Sequence, residues 1–162
     1  MRRAVTLEAF RETFSAVPVP VSIVTASRYG EPHGTTVSSF CSLSADPPLL
    51  LVALDEVSNT LEIVLETRRF GVNVLAVGQE DVARAAARKG PGKFDAIGWR
   101  DEGGLPRIDG AAGWLACEME DELPGGDHVI VVGLVTACES SAAKPLLYHR
   151  RTFSELTEVF TD

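Results

Sequence analysis

The spacing of apolar residues changes several times along this 162-residue chain, and each change marks a predicted element. Leu7, Phe10, Phe14 and Val17 recur at helical intervals behind Thr6, a residue suited to capping, and predict a helix over 6–17 that Pro18 and Pro20 stop. "VSIVTAS" (21–27) is rich in β-branched residues and predicts a strand. "RYGEPHG" (28–34) carries the glycines and proline of a turn. Two strands follow, at about 35–44 and 49–54, divided by "ADPP". In "SNTLEIVLET", Ser58 or Asn59 can cap a short helix whose Leu61, Val64 and Leu65 share a face. "RRFGVNVLAV" returns to strand, and "QEDVARAAARKG" predicts a second inserted helix, acidic at its start and basic at its end. A Gly/Pro-rich loop is predicted over about 90–110. "GWLACEMEDE" then alternates like a half-buried strand, whereas "DHVIVVGLVTACES" is apolar throughout, as a strand covered on both faces would be. "PLLYHRRTFSEL" predicts one or two short final strands.

Hairpin-joined strands with short helices between them favour a mainly β architecture, an antiparallel barrel with helical insertions, over a doubly wound parallel sheet. With no repeat and no linker-like tract, residues 1–162 read as one domain with one core. A 45% hydrophobic and 23% charged composition is that of a globular chain. No apolar stretch is long enough to cross a bilayer, and the start, although it holds two arginines, turns acidic and amphipathic without an apolar leader. These features predict a cytoplasmic protein without a membrane partner. The net charge of −8 argues against a nucleic-acid partner, for which a basic face is expected.

Candidate chemistry narrows by exclusion first. "KGPGKF" (89–94) resembles a phosphate loop only superficially: Ala87 stands where the first glycine is required, and Phe94 where Ser or Thr must hold magnesium. Cys41, Cys117 and Cys138 are far apart and make no zinc-ligand spacing with His33, His128 or His149, so no metal site is expected. Cys117 sits in the alternating "WLACEME" and Cys138 ends an apolar run, so both are expected in the core. What remains is a run of hydroxyls, Thr35, Thr36, Ser38, Ser39, Ser42 and Ser44. Such a run either satisfies strand backbone or forms a collar of donors around a phosphate or a polar heteroaromatic rim. The Ser58-Asn59-Thr60 helix start offers free N–H groups to an anion, with Arg88, Lys89 and Lys93 as nearby cations. "GGDHVIVVG" sets Asp127 and His128 at the mouth of an apolar strand after a tight turn. Tyr148, His149, Arg150 and Arg151 make a late cluster of aromatics and cations, either a nucleotide-stacking surface or a solvated strand edge.

Taken in order, "VSIVTA", "PHGTTVSSFCSLSADPPLLLVAL", "SNTLEIVLETRRFGVNVL", "ARKGPGKF", "IDGAAGWLACEME", "GGDHVIVVGLV" and "PLLYHRRTF" resemble the short-chain flavin reductases that serve two-component flavin-dependent monooxygenases. The likeness covers about residues 8 to 156. It implies an FMN-binding split β-barrel of Greek-key type that forms a homodimer, with FMN or FAD in a groove near the subunit interface. It implies NADH or NADPH as co-substrate and an oxygenase component as the partner that receives reduced flavin. On that resemblance, Thr36, Val37, Ser38 and Ser39 line the flavin ring and ribityl chain. Ser42, Ser58, Asn59 and Thr60 approach the phosphate, with Lys93 and Phe94 on the nearby loop. Asn73 on the returning strand and Tyr148 join the same cleft, and His128 matches the histidine on the nicotinamide side, as a positioning or proton-relay group.

Two departures from the family pattern stand out. Pro20 occupies a position where many relatives have Gly, which removes an N–H and fixes φ, and Ser39 and Cys41 stand where Ala or Ser are common. No arginine cluster is evident for a 2′-phosphate, which leans the expectation toward NADH. Two other functions remain open to the same barrel: a flavin-binding electron carrier, and a flavin-dependent oxidase or monooxygenase acting directly on a substrate.

Overall fold

The computed structural model describes residues 5–157; Arg2 and Arg3, the two arginines noted at the start of the chain, lie outside them. Three helices, α1 (Leu7–Ser15), α2 (Asn59–Thr67) and α3 (Glu80–Ala87), interrupt a succession of strands. The strands are β1 (Val19–Pro20), β2 (Ser22–Arg28), β3 (Glu31–Val37), β4 (Phe40–Ala45), β5 (Pro48–Asp55), β6 (Arg69–Val74), β7 (Trp99–Glu102), β8 (Leu105–Ile108), β9 (Gly113–Pro124), β10 (His128–Ser140), β11 (Leu147–His149) and β12 (Thr152–Ser154). Seven of them form one antiparallel sheet in the order β3-β2-β6-β9-β10-β5-β4. The strands at its two edges, β3 and β4, are consecutive in the chain, so the sheet curls into a barrel split at Ser38–Ser39. The mainly β split barrel expected from the sequence is the fold observed.

Side chains on β2 alternate between two cores, as the period of a strand requires. Val24 and Ala26 face a cluster with Val52, Leu54, Phe70, Val72 and Val131, into which α2 packs Leu61, Ile63 and Val64. Val21 and Ile23 face the opposite cluster, with Leu75, Ala83 and Ala86 of α3, Phe94, Ile97 and Leu146. α2 and α3 thus cover opposite faces of the same strands. Arg28 at the end of β2 bonds Glu62 (2.8 Å) and Glu66 (2.5 Å) and pins α2 along its length.

Several expectations need correction. The strand drawn over 35–44 is two strands broken at Ser38–Ser39, and β3 begins already at Glu31, leaving only Tyr29-Gly30 as the turn. The predicted loop over 90–110 contains a hairpin of β7 and β8, four residues each, turned by Gly103-Gly104. β10 is covered on both faces only near its middle; Thr136 to Ser140 are exposed, Cys138 among them, so that cysteine is not a core residue. Cys117 is buried, and burial pushes its thiol up to about 12. The helix predicted over 6–17 forms, but none of its residues is buried within the chain.

Candidate functional site

Four chain segments converge on a cleft of about 800 Å³. β3 supplies one wall through Thr35, Thr36 and Val37, which continue into Ser38 and Ser39 at the split in the barrel. The end of β5 and the start of α2 supply another, from Ala53 to Thr60. The loop 88–95 after α3 closes over the top, and His128 stands at the first position of β10, paired with Asp55. Ten of the thirteen site residues expected from the sequence line this cleft: Thr36, Val37, Ser38, Ser39, Ser58, Asn59, Thr60, Lys93, Phe94 and His128.

The hydroxyls do different things. Thr36 donates to the carbonyl of Ala83 (2.7 Å) and ties β3 to α3. Ser39 donates to the carbonyl of Ala53 (2.8 Å) while its own carbonyl accepts the Ala53 N–H (2.9 Å), which clamps the barrel split to β5. Ser58 Oγ accepts the Thr60 N–H (3.2 Å) as the cap of α2. Ser38, between the two strands, makes no hydrogen bond within the described residues through its hydroxyl, and it lines the cleft. The run is therefore half scaffold and half surface, and both readings of its chemistry apply, to different members.

Lys93 is the cation most firmly placed. Its Nζ donates to the carbonyls of Gly34 (3.2 Å) and Ala86 (3.1 Å), and partial burial lowers its pKa. An ammonium has three donors, so one remains for a ligand. Gly34 holds this wall thin: a Cβ there would meet the Phe94 ring and the Val24 carbonyl, each at 3.0 Å. Phe94 itself is a wall residue more than a contact surface, buried with its ring edge-on to Trp99 at 6.3 Å. Arg88 and Lys89 add charge to the same loop, against Glu31, Asp55 and Asp95 among the lining side chains.

His128 is oriented by its neighbour. Its Nδ1 lies 2.7 Å from an Asp127 carboxylate oxygen, and hydrogen bonding to the imidazole holds the Asp127 pKa below the usual carboxylate range. A carboxylate only accepts, so Nδ1 carries the hydrogen and Nε2 is left to accept when the ring is neutral or donate when it is charged. Asp127 was visible in the sequence beside His128, but its orienting contact was not. His33 also lines the cleft, unforeseen; burial first, and then Arg28, lowers its pKa.

Three expected residues lie elsewhere. Ser42 is exposed on β4, paired with Leu50, away from the cleft. Asn73 is fully buried, and its amide is consumed within the protein: Nδ2 donates to Thr25 Oγ1 (3.1 Å) and its Oδ1 accepts the Ile108 N–H (2.8 Å), fastening β8 to the barrel. Neither is placed to touch a ligand in this cleft. Tyr148 borders a second cavity of about 510 Å³ that shares Thr36, Val37 and Ser38 with the first. Among the described residues, no three His, Cys, Asp or Glu side chains gather in a metal-binding group.

Comparison with known proteins converges on one family. The model for "Flavin reductase like domain" matches residues 14–157. A probable flavin reductase of Rhizobium meliloti is 43% identical over 144 residues, 88% of this chain and 46% of that protein. The reductase component of a 4-nitrophenol 4-monooxygenase/4-nitrocatechol 2-monooxygenase of Rhodococcus opacus is 33% identical over 89% of this chain and 78% of its own length. An NADH:FAD oxidoreductase of Streptomyces globisporus C-1027, solved in complex with NAD and FAD fragments, superposes with a TM-score of 0.88 at 31% identity, covering 96% of this chain and 97% of that one. The chain spans less than two thirds of the length of some of its curated relatives, about half in the Rhizobium case.

Proposed function

Because the chain belongs to the flavin reductase like domain family, we propose that it is an NAD(P)H:flavin oxidoreductase that reduces FMN or FAD and passes the reduced flavin to a partner oxygenase component. One observation carries the reading: the free hydroxyl of Ser38, the start of α2, the third donor of Lys93 and the oriented imidazole of His128 all meet in a single cleft. Those donors fit a flavin. Its phosphate suits Lys93 and the first N–H groups of α2, where the helix carries partial positive charge. Its polar ring edge suits the exposed donors along β3 to Ser38, and the cleft lies in the size range of cofactor sites.

When bound, the flavin supplies the redox chemistry, accepting a hydride from the reduced nicotinamide. With a flavin bound, Lys93 and Asn59 would hold the phosphate end, Val37 and the Phe94 wall would keep water from the ring, and His128 Nε2 would face the nicotinamide. Asp127 fixes the tautomer and angle of that ring. His128 positions and relays a proton rather than acting as an obligatory acid. Thr36 and Ser39 act through the frame, holding β3 against α3 and β5.

We further propose that the chain acts as one reductase domain, in the cytoplasm, as a homodimer. Its three cysteines are unpaired, as is usual in a reducing compartment. No helix among the described residues is long and apolar enough to cross a membrane. The exposed apolar face of α1, with Leu7, Phe10 and Phe14, suits a second copy. The test is anaerobic oxidation of NADH and NADPH, followed by loss of the reduced-nicotinamide absorbance, with FMN, FAD or no flavin added. Flavin-dependent turnover is the expected result. Flavin binding with both nicotinamides untouched would replace the reductase with a carrier.

A further inference from the structure

His33 stands in the cleft with no partner of its own. Its imidazole is half-buried and makes no hydrogen bond within the described residues, and neither ring nitrogen is shut off from solvent. An imidazole with both nitrogens open to a cleft is free to meet a ligand. Two neighbours fix its place on β3. The next carbonyl along the chain, that of Gly34, holds Lys93 Nζ at 3.2 Å. Across the strand pair, His33 stands opposite Ala26, whose side chain lies in the core cluster that α2 completes, so the imidazole takes the α2 face of β3. It therefore lies between the Lys93 ammonium and the first turn of α2, whose Asn59 and Thr60 line the same cleft.

The surroundings disfavour a charge on this ring while the cleft holds no anion. Burial acts most strongly against the imidazolium, and Arg28 and Lys93 add to it, whereas Glu31 on the same strand opposes them. Arg28 is itself engaged by Glu62 and Glu66 of α2, and Lys93 by two carbonyls. The other charged or titratable groups on the cleft wall are Asp55 at the end of β5, Arg88, Lys89 and Asp95 of the loop 88–95, and His128 of β10. The ordinary imidazole pKa is about 6.5, and these influences lower it, so His33 is neutral at about pH 7 in the ligand-free protein. A phosphate dianion reverses the balance. Set against Lys93 and the first turn of α2, it brings nearly two negative charges beside the imidazole and supplies the acceptor the ring lacks.

We propose that His33 makes the cleft selective for a phosphorylated flavin, taking up a proton from solvent as the phosphate binds and donating a charge-assisted hydrogen bond to it. The inference rests on the flavin-reductase reading and adds to it a specificity residue that acts only by titrating. A permanent cation at this place would repel Lys93 in the ligand-free cleft, whereas an imidazole carries charge only when an anion is there to meet it. The phosphate-bound protein has the higher His33 pKa. The affinity gained through His33 is therefore complete below the ligand-free pKa and is lost as pH rises through the phosphate-bound one. Riboflavin has no phosphate and gains nothing from it.

The experiment is calorimetric titration of the wild-type protein, His33→Gln and Lys93→Met with FMN and with riboflavin, in two buffers of different ionisation enthalpy, which counts the protons taken up on binding. It is run between about pH 7 and 8, above the second phosphate pKa of about 6, so that the ligand stays a dianion. The wild type should take up a sizeable fraction of a proton per FMN and none with riboflavin. His33→Gln should lose that uptake and bind FMN about tenfold more weakly near pH 7, as a His33 pKa raised by about one requires, with riboflavin affinity held within about twofold. Lys93→Met should also bind FMN weakly yet keep most of the uptake. Proton NMR of the wild type gives a reading that needs no variant. Only His33, His128 and His149 contribute imidazole signals, and that of His33 should titrate below the ordinary range alone and about one pH unit or more higher with FMN. Uptake that persists in His33→Gln, or that riboflavin matches, overturns the proposal, as does a His33 signal whose titration FMN leaves unmoved. Failure of the broader reading shows separately, as wild-type protein that binds neither flavin, and it takes this inference with it.

Discussion

Lys93 turns a small electrostatic fact into a measurable one. Burial penalises its charged form, so in the ligand-free protein it gives up its proton below the pH at which an exposed lysine does. The protonated amine is the form that attracts a phosphate monoester. The affinity for FMN should thus be highest below the depressed Lys93 pKa and fall as pH rises through it, while riboflavin, which has no phosphate, shows no such step. Lys93→Met should abolish the step and weaken FMN; an unchanged pH profile in a fluorescence titration would remove Lys93 from the phosphate. His128 gives a complementary test. His128→Ala should slow NADH oxidation by about two- to tenfold, the loss of one contact worth roughly 0.5–1.5 kcal/mol, while leaving the FMN dissociation constant within about threefold. Asp127→Asn should reproduce part of that loss, because the ring keeps its place but loses its anionic partner. Equal loss of flavin binding and turnover in His128→Ala would argue that the histidine serves the flavin phosphate or the fold.

At the level of elements, the barrel depends on a few positions where backbones crowd. Gly133 in β10 lies over Phe70 of β6: an added Cβ would sit 2.5 Å from the ring tip and 2.9 Å from Cys117 Cβ. Gly133→Ala should therefore destabilise the fold by roughly 1–3 kcal/mol, read as a lower urea midpoint, with flavin affinity per folded molecule unchanged. The same crowding explains what the sequence could and could not disclose. β2 announced itself by β-branched content, lying between two cores, and β9 by alternation, with one face against a core. The β7–β8 hairpin did not, because four-residue strands offer too few alternations, although Gly103-Gly104 was a visible turn signal. Ser38, Lys93 and His128 were legible as candidates from their motifs, whereas the place of Asn73 was not, since only tertiary contact with β8 reveals that its amide is already satisfied. Arg84 and Arg151 stood 67 positions apart in the sequence, and only the packing of α3 against the β11–β12 hairpin makes them neighbours of one cavity.

For the whole molecule, the least settled surface is the one the chain does not cover by itself. α1 is amphipathic, yet it buries nothing: Leu7, Phe10 and Phe14 remain 61%, 52% and 62% exposed, and the Phe10 and Phe14 rings touch each other at 4.7 Å. A helix this short has little stability of its own in water, so its apolar stripe is best explained by a partner surface. The helix also abuts the second cavity, since the Arg150 N–H donates to the Ser15 carbonyl at 2.6 Å and Arg151 reaches Glu12. A homodimer built on α1 would thus brace the Arg150-Arg151 hairpin from behind and couple assembly to ligand binding. The double variant Phe10→Glu, Phe14→Glu should shift the protein from two chains to one in sedimentation equilibrium, because each ring withdrawn from an interface forfeits about 1.5–3 kcal/mol. It should also weaken flavin binding, because the β11–β12 hairpin that carries Tyr148 loses its support. A variant that remains dimeric would move the interface to another face, such as the exposed outer half of β10. A monomeric variant that binds FAD as tightly as the wild type would separate the assembly from the site.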